Sequence, residues 1–263
     1  MTIIKKVKAI FQGYQPYRLD AVEILETGCL PKLKHSKKIV EIEQAELMVS
    51  QLNYWVGENP IIHLPVEMLV MPGGHAFANP AHPFLKTIKE GHQWLFNHYS
   101  EWMPQNIAQL YGIEESGELG ENLEPWEIPW LLRERKKPRG EVGLSSSHGL
   151  SYYGPISQQK AIAEYNRLNK VVNSISKHGY KIQKGVIEGF FMRKGDEFRF
   201  FVLGGKHRVA AMAYLGYKSI PVRMRASYPR LVDRVDAVNW PLVHSKHVSL
   251  SLALRIFDAY FRS

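Results

Sequence analysis

Residues 203–208 read Leu-Gly-Gly-Lys-His-Arg, and these side chains in this order suit an anion. Glycines let phosphate oxygens approach the backbone with no Cβ in the way. If a helix starts here, its first amides point outward and its dipole favours negative charge. Lys206 adds a compact charge, and Arg208 a planar fork that can take two phosphate oxygens at once. Neither a Walker loop nor a Rossmann fingerprint is present. The chemistry this implies is phosphate holding, and phosphoryl transfer if a base can orient an accepting hydroxyl. Candidates for that base are His207 in the turn itself, Glu188, Glu164, and His148 in the polar loop Ser145-Ser146-Ser147-His148-Gly149. Glu188 stands in an otherwise apolar run, where a lone carboxylate is costly unless paired or solvent-facing. Glu164 is expected to face solvent.

Several elements must position this turn. Ser157 can cap a helix through its hydroxyl, and Ala161, Tyr165, Leu168, Val172 and Ile175 form one apolar stripe that Gly179 ends. Two β-rich runs, 186–192 and 197–203, flank a turn at Lys194-Gly195-Asp196 and read as a hairpin. The second run is apolar on nearly both faces, as a central strand is. A short helix over 209–215 follows the glycines and stops at Gly216, and 219–225 returns as a strand.

Leu203 to Ala211, followed by Leu215-Gly216 and Ile220-Pro221-Val222, resembles the phosphate-binding box of the ParB/sulfiredoxin superfamily. The resemblance covers about residues 150–226. It implies a ParB/sulfiredoxin-like mixed sheet with helices in the C-terminal half, and an α+β fold class for the chain. Sulfiredoxin chemistry needs a cysteine where this chain has Lys206. Partition proteins continue into a helix-turn-helix and a dimerisation domain, for which the residues after Arg225 are too few. The kinase-like branch remains, and it implies ATP or ADP, with Mg2+, on Gly204, Gly205, Lys206, His207 and Arg208. In those kinases a Glu lies just ahead of the first helix, whereas Gly154-Pro155-Ile156-Ser157-Gln158 carries no carboxylate. The expectation is a nucleotide-dependent phosphotransferase acting on a small hydroxyl compound such as a sugar or amino acid. The alternative is a non-catalytic nucleotide switch or nucleic-acid-binding protein of the ParB type.

The remaining sequence sets bounds on these readings. The chain has 263 residues, 45% hydrophobic and 22% charged, which is ordinary for a folded protein. Its net charge of +9 favours anionic partners without choosing among them. Cys29 is the one cysteine, which excludes an internal disulfide. No apolar run reaches the roughly 18 residues of a membrane span. The N-terminal residues lack a signal-peptide core, so a cytoplasmic location is expected. The texture changes near residue 140. Residues 1–140 read as an N-terminal α+β extension that could bind the acceptor, with a connector over 112–140, and 141–263 as the phosphate-binding domain. Within the extension, 66–71 reads as a strand and 84–99 as a helix, while His75 and His82 read as loop-shaping residues. The connector, Glu-rich at first and then basic at Arg133, Arg135, Lys136, Lys137 and Arg139, reads as a solvated surface segment, with the alternative that its basic half lines an anion site.

Overall fold

The computed structural model describes residues 34–41, 58–114, 116–131, 142–150, 154–225 and 228–262. The chain is α+β, built on one mixed sheet. Its strands are β1 (Lys34–Glu41), β2 (Glu58–Pro65), β3 (Leu69–Met71), β4 (His75–Ala76), β5 (Ile187–Lys194), β6 (Glu197–Gly204), β7 (Ser219–Met224) and β8 (Leu231–Asp233). The order across the sheet is β1-β2-β7-β5-β6-β3-β4, with β8 continuing beside β5. Four strands thus come from before residue 140 and four from after it. The position of the expected boundary itself, 132–141, and with it the basic half of the connector, lies outside the described residues.

The hairpin forms where the sequence places it. β5 and β6 pair antiparallel from Lys194↔Glu197 to Glu188↔Gly204 around Gly195, whose φ of +59° suits a tight turn. β6 is central, flanked by β5 and by β3 in parallel register. It carries apolar side chains to both faces because both are covered. On one face, Phe191, Phe200, Val202, Ile220 and Val222 pack against α4 (Gln158–His178) and α5 (Lys206–Tyr214). On the other, Phe190, Met192 and Phe201 meet α7 (Leu250–Asp258) through Leu252, Ile256 and Phe257.

α4 begins as expected, with the Ser157 hydroxyl accepting from the Lys160 amide at 3.1 Å. Its stripe of Ala161, Leu168, Val172 and Ile175 is buried, and Gly179 (φ +69°) ends it. Two expectations need adjusting in the N-terminal part. The strand expected over 66–71 is only β3, because Val66–Met68 form a single 3-10 turn directly after Pro65. The helix expected over 84–99 is two helices, α1 (Pro83–Glu90) and α2 (His92–Glu101). Gly91, with φ +93° and ψ 178°, breaks it, a backbone state that glycine takes readily and other residues do not.

Two short helices, α3 (Ile107–Leu110) and α6 (Pro241–His244), complete the chain beside the α7 face. The Glu-rich part of the expected connector is not solvated throughout. Leu123, Trp130 and Leu131 enter the core with α7, and Glu121 is buried, accepting from the amides of Ser116 and Gly117 at 2.8 Å each. Glu118 meets Arg255 at 2.8 Å and accepts from the Ser249 hydroxyl at 2.6 Å. These acidic residues satisfy loop amides and the start of α7 rather than water alone.

Candidate functional site

The glycine turn joins β6 to α5. Gly205 sits in the left-handed region (φ +91°, ψ 16°), and its carbonyl accepts from the amides of Arg208 at 2.8 Å and Val209 at 3.1 Å. The chain therefore leaves the sheet and starts the helix within one residue. All of residues 203–208 are partly exposed among the described residues.

Space and charge at the turn differ between its two glycines. A Cβ on Gly204 would have its nearest neighbours at 3.6 Å, Nη1 of Arg225, and at 3.9 Å, Cβ of Glu188. Gly204 thus faces room, with a guanidinium beside it. A Cβ on Gly205 would come within 3.0 Å of Cγ1 of Ile187 and 3.1 Å of Nη2 of Arg208. That glycine is closely packed.

Glu188 is half-buried and lies opposite Gly204 on one side and Arg223 on the other. Because Ile220, Val222 and Met224 point to the helix-covered face, alternation turns Arg223 and Arg225 to the opposite one. The Arg225 guanidinium lies 5.6 Å over the Tyr228 ring. The Arg225 guanidinium and the Cβ of Glu188 therefore border Gly204, with Arg223 beside Glu188 on the next strand. Arg225 was not among the sequence candidates, although the alternation of β7 was legible.

Within the turn, Lys206 donates from Nζ to the Leu203 carbonyl at 2.9 Å. Arg208 donates to the carbonyls of Gly185 and Val186, and the Tyr180 hydroxyl joins it on Gly185 at 2.8 Å. Burial pushes the Tyr180 phenol above its ordinary pKa, against the pull of Arg208, so it stays a donor. The guanidinium thereby ties the start of α5 to the segment entering β5.

His207 is the most constrained group. Its Nε2 lies 2.5 Å from Oε2 of Glu164, and its ring stacks on Phe84 with centroids 4.9 Å apart. The other oxygen of Glu164 lies 3.4 Å from Nζ of Lys160. The side chains of Lys160 and Glu164 are 0% and 1% exposed, against 14% for His207. Glu164 therefore does not face solvent as expected. The signal was present: positions 160 and 164 are one helical turn apart and fall on the same stripe as 161, 168 and 175. Opposite charges on an apolar stripe mark a buried pair.

His148 is tied elsewhere. Its Nδ1 is 2.9 Å from the Ser157 hydroxyl, and its carbonyl accepts from the Ser157 amide at 3.0 Å. It supports the N-cap of α4, so its link to the turn runs through that helix. His207 lies in the first turn of α5, whereas Glu188 lies opposite Gly204 on β5 and His148 at the start of α4.

A second concavity of about 730 Å3 lies along the β3–β4 edge, lined by Gly73, Gly74, His75, His82, Tyr111 and Arg199 among others. Burial lowers the His75 pKa to about 4 and holds His82 well below its usual value, with each neighbouring imidazole adding to the effect. Burial likewise pushes the Tyr111 phenol up to about 12, opposing its hydrogen bond with Tyr260. His82 does shape its loop, since its Nδ1 accepts from the Phe84 amide at 3.1 Å and caps α1. It also meets Phe84 edge-on at 5.8 Å, so α1 braces His207 from the far side.

Among the described residues, no group of three or more His, Cys, Asp or Glu side chains could hold a metal ion, and no helix is long and apolar enough to cross a membrane. Compared with protein families, curated proteins and solved structures, the chain matches none.

Proposed function

We propose that this chain is a nucleotide-dependent phosphotransferase of the ParB/sulfiredoxin type, acting on a small hydroxyl compound such as a sugar or an amino acid. The observation that carries the reading is the opening over Gly204. There a left-handed glycine starts a helix, and the nearest side-chain atom is a guanidinium nitrogen of Arg225. Phosphate oxygens suit that space because backbone N–H groups, a helix start and cationic side chains converge on it. Lys206 and Arg225 supply charge, the backbone of Gly204 and Gly205 supplies close approach, and Arg208 keeps the turn in shape. Mg2+ enters as the counter-ion of the nucleotide, with Glu188 a carboxylate beside Gly204. Few protein ligands suit Mg2+, which commonly holds phosphates and water in such sites.

The test is calorimetric titration of the purified chain with ADP and ATP in the presence of Mg2+. Binding of either nucleotide is expected, and the Lys206→Ala/Arg225→Ala double substitution should weaken it by about tenfold or more, the loss of charge-assisted contacts. Silence with both nucleotides overturns the reading. The +9 charge suits a nucleic-acid partner as well, and in that case a DNA gel shift falling steeply with salt replaces the nucleotide signal.

A further inference from the structure

We propose that Glu164 is a positioning residue that fixes the His207 imidazole with its proton on Nε2, leaving Nδ1 to take the proton of the accepting hydroxyl. The proposal rests on the phosphotransferase reading and divides labour within the turn: His207 moves a proton, and its neighbours hold phosphate.

The geometry supplies three constraints. First, the Lys160 ammonium on one oxygen of Glu164 favours a charged carboxylate, and a charged carboxylate can only accept. The 2.5 Å contact on the other oxygen is therefore an N–H donated by Nε2 of His207. Second, neither Lys160 nor Glu164 reaches water, so neither charge can swing out into solvent. Third, Phe84 covers one face of the imidazole at 4.9 Å and 24°, so the ring is held by edge and by face. A neutral ring with its proton on Nε2 presents a lone pair at Nδ1. A lone pair repels a phosphate oxygen and accepts a hydroxyl proton.

The step that follows balances. The hydroxyl oxygen of the acceptor bonds to the terminal phosphorus of a nucleoside triphosphate, and its proton passes to Nδ1. The bond from that phosphorus to the bridging oxygen breaks, and the nucleoside diphosphate leaves with the electron pair. Glu164 then faces an imidazolium, whose charge it stabilises as carboxylates do in hydrolase triads.

Two measurements test this. Two-bond 1H–15N correlation spectra of the full chain read the His207 tautomer without any substrate. The Nε2–H form is expected in the wild type, a mixture in Glu164→Gln, and a return to Nε2–H in Glu164→Asp. An Nδ1–H ring in the wild type overturns the proposal even if no variant folds. The second measurement is ADP affinity. His207→Gln keeps a donor for Glu164, and it should leave ADP binding within about threefold, while the Lys206/Arg225 double variant loses about tenfold or more. Equal losses in both would make His207 a phosphate ligand and overturn the division of labour. A wild-type chain that binds no ADP instead strikes the underlying reading, so the two failures are told apart.

Discussion

His75 takes a proton near pH 6.5 when unfolded and only near pH 4 in the fold, because burial disfavours its charged form. Between those values the unfolded chain binds more protons, so stability falls as pH drops from 6.5 towards 4. Between pH 7 and 5 the loss for this one imidazole is about 2 kcal/mol. His82 contributes with the same sign. Urea unfolding at the two pH values should show the drop in the wild type and a shallower one in His75→Gln. An unchanged slope in the variant would discard the assignment. At this scale the sequence was partly legible. The turn residues and Glu164 stood out by type, yet the burial of Glu164 and its contact with His207 did not, because a helical stripe was read only for its apolar members. Glu164 and Lys160 belong to that stripe, and their burial follows from their position.

At the scale of elements, the β6–α5 junction depends on one backbone state. An alanine at 205 must adopt φ +91° and meet Ile187 at 3.0 Å, and the left-handed state alone costs about 1–2 kcal/mol. Gly205→Ala is therefore expected to lower the unfolding free energy by about 1–2 kcal/mol, and to weaken ADP binding as the helix start shifts. A folded, equally stable variant with unchanged affinity would show that the turn is not the determinant. The elements around this junction were readable because each has a local cause: the Ser157 cap, the Gly195 turn, the apolar run of β6. The breaks in the N-terminal part were harder to see. A helix period runs through 84–99 even though Gly91 interrupts it, and Pro65 shortens a strand whose composition continues unbroken.

For the molecule as a whole, the α7 face holds the sheet from the side opposite α4 and α5. Phe257 is fully buried between Trp130 at 5.3 Å and Trp240 at 5.0 Å. Phe257→Ala should destabilise the chain by about 3–5 kcal/mol, measured by chemical unfolding. A much smaller cost would mean that this layer folds apart from the sheet. What the sequence could not supply is which strands neighbour one another, since pairing between distant segments leaves no local pattern. β2 pairs with β7 and β3 with β6, joining residues 58–71 to residues 197–224. During synthesis, then, the early strands emerge long before their mates. The edge of β2 that receives Val222 stays open until β7 has left the ribosome, a period in which a chaperone would have something to hold.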